Sequence, residues 1–229
     1  YEIYQCDWSS DVCSSDLLSG DLVTTGAIDL KGTSRGTSFG ADRTITTTNA
    51  NVTFGALNSA YGLTIAAGSG TVSFASVGAS TPLAFLSMTG AGINTLTSNI
   101  SVAGGSLNLG SARTSNVTSS LTMSAAGGNI TLGNVGLSSG VTLTVGDSGA
   151  GNIAVTSVTG PASGAPANIT FSNSGTVTVS GAVTTNIGTL WLNKTTGNVS
   201  FAGSLQVSQF KSDAGATRSE EHTSELQSD

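Results

Sequence analysis

The sequence predicts an all-β protein, a parallel β-helix (β-solenoid) of roughly 8–9 rungs. Three observations predict it. Short apolar–polar–apolar triplets recur along the chain, Gly, Ser and Asn cluster between them, and helical spacing is not sustained anywhere in residues 18–217. Tandem β-sandwich domains are the alternative, because closely spaced strands suit that architecture too. Repetition of a whole multi-strand unit favours the solenoid.

The unit starts with a strand such as Leu63-Thr-Ile65, Leu86-Ser-Met88, Leu121-Thr-Met123, Leu143-Thr-Val145, Ile169-Thr-Phe171 or Leu190-Trp-Leu192. A Gly/Ser/Asn turn follows. A second triplet then appears: Val52-Thr-Phe54, Val72-Ser-Phe74, Ile130-Thr-Leu132, Ile153-Ala-Val155, Val177-Thr-Val179 or Val199-Ser-Phe201. A further apolar residue closes each unit at Leu57, Val77, Val135, Val158, Val183 and Leu205. Period-two alternation places the apolar residues on one face and the hydroxyls on the other. β-Branched side chains suit the pleated surface, and Gly and Asn tolerate the backbone angles of corners. Pro82, Pro161 and Pro166 fall between strands, where a missing N–H does no harm.

Such a unit cannot bury its own apolar face, but stacked copies can. First strands begin at residues 63, 86, 121, 143, 169 and 190. The long interval from Leu86 to Leu121 holds Leu107-Asn-Leu109 and is read as an inserted loop or a half-rung. Arg43-Thr-Ile45 lies one period before Leu63 but carries Arg where an aliphatic is expected.

The flanks differ in kind. Residues 1–17 and 218–229 contain no glycine, whereas residues 18–217 hold all 31. Both cysteines, Cys6 and Cys13, and the single histidine, His222, lie in the flanks. Asp7–Leu17 and Arg218–Ser228 can be back-translated into DNA strings that are reverse complements of each other. They resemble one arm of the common Illumina library adapter, from which Asp229 departs. The resemblance implies that 1–17 and 218–229 are translated adapter with no domain, and that 18–217 is a repeat segment from a longer gene. Such scars are set aside when fold is argued. A disulfide between Cys6 and Cys13, or a site built on His222 with Glu220 and Glu221, is set aside with them.

The flanks carry a formal charge of −7 and residues 18–217 carry +1, which gives the −6 of the whole chain. No basic patch interleaved with aromatics is present, which argues against nucleic acid as a partner. No apolar run reaches the roughly 18 residues of a membrane-spanning helix.

Asn51, Asn129, Asn152 and Asn198 each precede a second-strand triplet. Their amides are expected to form a structural ladder or to hold turns. Asn51, Asn99, Asn116, Asn129, Asn168, Asn193 and Asn198 also begin Asn-x-Ser/Thr triplets, which Thr- and Ser-rich strands generate by chance. Asp147 sits in a Gly-rich turn, but equivalent turns at 66–70 and 125–128 carry no carboxylate, as a calcium-binding β-roll would need. Residues 18–217 contain no Glu and no His, and their Asp residues are far apart, although stacking could bring Asp21 near Asp42. No catalytic, metal or cofactor-binding residue is therefore assigned, and no enzyme activity is expected. Thr-x-Thr pairs such as Thr44/Thr46, Thr142/Thr144 and Thr176/Thr178 are read as an ordinary solvated face. Trp191 points opposite Leu190 and Leu192, as an exposed anchor or the cover of a local apolar spot.

The cadence of residues 63–74 and 121–132 resembles the repeats of filamentous-haemagglutinin-like adhesins and related type V secreted passengers, over about residues 40–205. The resemblance implies a structural or adhesive stalk of a large exported bacterial surface protein. It would lie outside the cell or on its surface, and its partners would be glycans or proteins of a host or neighbouring cell. The alternative is a fragment of a polysaccharide-processing β-helix enzyme whose catalytic rungs lie outside this chain.

Overall fold

The structure is a computed structural model that describes residues 16–31, 36–147 and 149–213. The remaining flank residues, with Cys6, Cys13 and His222, lie outside the described residues. Among the described residues the chain is an all-β parallel solenoid of about nine turns, with 22 strands and no helix. Among the described residues every strand pairing is parallel, each rung on the next, so this part of the chain winds in one sense without folding back as a hairpin.

The pairings sort the strands into three faces. Face A stacks Leu22–Thr24, Arg43–Thr47, Leu63–Ala66, Leu86–Thr89, Leu107–Asn108, the starts of Ile130–Leu137 and Ile153–Thr159, then Val177–Val179 and Val199–Phe201. Face B stacks Ile28–Leu30, the starts of Val52–Leu57 and Val72–Val77, Ile93–Leu96, Thr114–Val117, the ends of Ile130–Leu137 and Ile153–Thr159, and the starts of Val183–Asn193 and Leu205–Ser212. Face C stacks Asp16–Leu18, Thr37–Phe39, the ends of Val52–Leu57 and Val72–Val77, Ile100–Ser101, Leu121–Ser124, Thr142–Val145, Ala167–Ser172, and the remainders of the last two long strands.

The interior follows from alternation. On face A, Leu63, Leu86, Leu107, Ile130, Ile153, Val177 and Val199 form one unbroken inward column. Ile130 and Leu132 are buried and lie directly against Ile153 and Val155 of the following rung. Phe54 and Phe74 stack at 5.2 Å between ring centres, one rung apart. Each aliphatic residue is thus covered by its counterpart above and below, which is how an apolar stripe too narrow to fold alone is removed from water.

Two sequence expectations change. The interval from Leu86 to Leu121 contains no inserted loop or half-rung. Leu86 pairs with Leu107, and Leu107 pairs with Ile130, at ordinary rung spacing. The interval looked long because Leu86 lies on face A and Leu121 on face C. The triplet families likewise switch face: Val52 and Val72 belong to face B, whereas Ile130, Ile153, Val177 and Val199 belong to face A. All three faces use the same apolar–polar–apolar code, so the code alone does not tell one from another. The first described strand, Asp16–Leu18, pairs with Thr37–Phe39.

A glycine stack tightens the corner that precedes face A. A Cβ added at Gly128, Gly151, Gly175 or Gly197 would collide with the carbonyl of Gly105, Gly128, Gly151 or Gly175 respectively, one rung earlier. Rungs approach so closely there that only glycine fits.

Candidate functional site

The polar feature that stands apart from this repetition is Arg113, the largest fully buried side chain, at 0% exposure. Its turn is built locally. The N–H of Gly110 donates to Asn108 Oδ1 at 2.9 Å, and the N–H of Arg113 donates to the Gly110 carbonyl at 3.1 Å. Gly110 has φ +84°, and a Cβ there would press on Arg113 Cγ and Cδ at 2.8 Å. Glycine therefore supplies both the backbone angle and the space that turn Arg113 inward.

All five guanidinium N–H groups find oxygen. Nε donates to Asn94 Oδ1 at 2.7 Å. Nη1 donates to the carbonyls of Gly68 (3.2 Å) and Thr89 (3.1 Å), and Nη2 to those of Gly70 (2.8 Å) and Ile93 (3.0 Å). Asn94 Nδ2 in turn donates to the Leu109 carbonyl at 2.9 Å and to Ser115 Oγ at 3.1 Å. The group spans three successive rungs. Every acceptor is neutral, so carbonyl and amide dipoles stabilise the charge in place of a carboxylate. Burial pushes the guanidinium pKa below its ordinary value. With all donors committed, the arginine acts as an internal staple and presents nothing to a ligand.

Sequence reading passed over this site. Asn94 and Ser115 take the inward face B positions that Val72 and Val135 hold in neighbouring rungs. These two polar residues broke the triplet pattern and hid the strands Ile93–Leu96 and Thr114–Val117. A polar residue in the inward phase of two consecutive rungs was the available signal.

The asparagines follow a wider rule: a side-chain oxygen at a corner accepts the backbone N–H of the next rung. Thr71 N–H donates to Asn51 (2.9 Å), Asn152 N–H to Asn129 (2.8 Å), and Thr176 N–H and Oγ1 to Asn152 (3.1 and 2.8 Å). Asn129, Asn152 and Asn198 precede face A strands, whereas Asn51 precedes a face B strand at a different corner. Asn49, Asn58, Asn99 and Asn168 accept next-rung N–H groups in the same way.

The carboxylates of Asp21, Asp29, Asp42, Asp147 and Asp213 also cap backbone. Asp21 accepts from Thr44 N–H and Asp42 from Gly62 N–H, each at 2.8 Å, and Asp29 accepts from Lys31 N–H at 3.0 Å. Asp147 reaches back one rung to Ser124 Oγ (2.7 Å) and Ala126 N–H (2.6 Å), and locally to Gly149 N–H (3.1 Å). Partial burial raises its pKa, but the Ser124 hydroxyl and the N–H groups of Gly149, Ala126 and Gly127 outweigh that and hold it below the usual carboxylate range. Asp213 accepts from Trp191 Nε1 (3.2 Å) and Lys194 N–H (2.9 Å). Among the described residues, no three of His, Cys, Asp and Glu converge as a metal site.

The outer surface is orderly but bland. On face A, Thr44, Thr64, Ser87, Asn108, Thr131, Ala154, Thr178 and Ser200 align in one outward row, interrupted as a hydroxyl array by Asn108 and Ala154. Trp191 is 37% exposed on face C, in register with Thr170 and Lys211. No helix among the described residues is long and apolar enough to cross a membrane. No family model matches the chain, and no match was found among curated proteins or solved structures.

Proposed function

We propose that this chain is a structural, adhesive stalk segment of a large exported bacterial surface protein. One observation carries the reading. On a continuous rod of about nine turns, Asp21, Asp29, Asp42, Asp147, Asp213 and the buried Arg113 are tied to backbone groups. Side chains that could perform acid–base chemistry are used instead to hold rung to rung. Low charge and closed hydrogen bonding suit a stiff spacer that carries adhesive regions away from a cell, to meet glycans or proteins of a host or neighbouring cell.

The test is the reading frame that surrounds this segment, with an adhesion assay on its product. A secretion domain and many further rungs, with cell attachment lost when the frame is deleted, are expected. Clustered Asp, Arg or His on adjacent rungs, with cleavage of a polysaccharide, would replace the stalk by the enzyme reading.

A further inference from the structure

Trp191 departs from the row in which it stands. Along the outward side of face C, Thr122, Thr144, Thr170, Trp191 and Lys211 follow one another rung by rung. A second outward row runs beside it through Thr142, Asn168, Thr189 and Gln209. Leu190 and Leu192, on either side of Trp191 in the strand, are buried, whereas the indole is 37% exposed.

The indole edge is held in place. Nε1 donates to Asp213 Oδ1 at 3.2 Å, and Asp213 Oδ2 accepts the Lys194 N–H at 2.9 Å. The carboxylate thus ties the ring to the backbone just past the end of Val183–Asn193. The second row is linked as well. Asn168 Nδ2 donates to Thr142 Oγ1 at 3.5 Å, Thr189 N–H to Asn168 Oδ1 at 2.8 Å, and Thr189 Oγ1 to Gln209 Oε1 at 3.4 Å. A ring oriented in advance on a stiff sheet loses little freedom when something stacks on it.

The surroundings say what would stack. The centre of a protein interface gathers further apolar groups. None of the other exposed large hydrophobics, Leu17, Val23, Tyr61, Ile93 and Leu205, stands in either row. Trp191 is instead a single aromatic surface among hydroxyls and amides. A pyranose ring has the complementary form, an apolar C–H face with a rim of hydroxyls. The face stacks on indole, and the rim exchanges hydrogen bonds with groups such as Thr170 and Thr189. The one charged side chain in the two rows is Lys211, exposed and in register with Trp191. Adjacent rungs lie about 4.8 Å apart, so this cation stands directly beside the ring.

We propose that this patch binds an acidic polysaccharide, with a pyranose stacked on Trp191 and the carboxylate of a uronic acid unit paired with Lys211. The contact belongs to the rod itself and does not depend on whether the rod is a stalk or part of an enzyme.

The test uses the full 229-residue chain with Trp8→Phe, which leaves Trp191 as the sole indole. A glucuronic acid oligomer, its methyl ester and the glucose oligomer of the same linkage are each titrated, with indole fluorescence and calorimetry as readouts. The acid oligomer should shift the indole emission saturably and bind roughly three- to fivefold more tightly than the other two. Trp191→Ala should weaken it roughly tenfold by calorimetry, while Trp191→Phe, which keeps a ring face, should retain part of the affinity. Lys211→Gln should bring the acid oligomer down to the affinity of the ester and leave the ester unchanged, a pattern that only a folded variant can give. Binding of none of the three oligomers, or binding unmoved by Trp191→Ala, overturns the proposal. Equal affinity of the unsubstituted chain for acid and ester overturns it too, by removing the pairing with Lys211. The stalk reading is decided separately, by the surrounding reading frame and cell attachment.

Discussion

Arg113 Nε donates to Asn94 Oδ1 at 2.7 Å, joining two buried polar side chains of consecutive rungs in a mainly apolar interior. Around this bond, four carbonyls drawn from two earlier rungs accept from the same guanidinium, that of Gly68 sharing its acceptance with the Ala91 N–H. Arg113→Leu should therefore destabilise the solenoid by about 3–5 kcal/mol, because it strands buried acceptors. Arg113→Lys should recover only part of that loss, since an ammonium has three donors and no fork. Urea unfolding followed by far-UV circular dichroism measures both. Equal stability of Arg113→Leu and wild type would refute the staple.

Close packing at the glycine corner predicts a contrast between two chemically identical changes. Gly128→Ala should cost about 1–3 kcal/mol, because its Cβ meets the Gly105 carbonyl of the previous rung. Gly40→Ala meets nothing within 4 Å. It should be neutral, or stabilising by up to about 1 kcal/mol, through a less flexible unfolded chain. Thermal melts of the pair decide the matter.

The asparagine ladder predicts a graded loss. Asn152→Ala removes the acceptor shared by the backbone N–H and hydroxyl of Thr176 and should cost about 1 kcal/mol. Thr176→Val keeps the backbone N–H contact, removes only the hydroxyl one, and should cost less than Asn152→Ala. Unchanged stability of Asn152→Ala would mean that this side chain does not hold the next rung.

Asp147 predicts a pH effect of defined sign. Its pKa is lowered in the folded chain, so its carboxylate stabilises the fold above the unfolded-state value. That contribution fades as pH falls through the folded value and is absent once both states are protonated. Asp147→Ala should lower stability near neutral pH by about 1 kcal/mol or less, solvent screening the exposed group. The gap from wild type should close under acid. A gap that widens on acidification would contradict the assignment.

Much of this was legible in the sequence. Triplets such as Ile130-Thr-Leu132 and Ile153-Ala-Val155 mark strands, and their repetition marks stacking, because alternation and nearest-rung burial are recorded locally. Asn129 and Asn152 stood out for the same reason. The strands holding Asn94 and Ser115 were not legible, since their inward polar residues make sense only beside Arg113.

By itself, then, the sequence determined that the chain coils and which aliphatic side chains of its triplets face inward; these follow from period-two alternation and from backbone angles that few residues accept. Tertiary structure alone decided which of three faces each strand joins, because all three share one code and differ only in what lies above and below. It also decided the fate of Arg113. The carbonyls of Gly68 and Gly70 lie 45 and 43 residues earlier in the chain, and only the stacked rungs bring them within reach of the guanidinium.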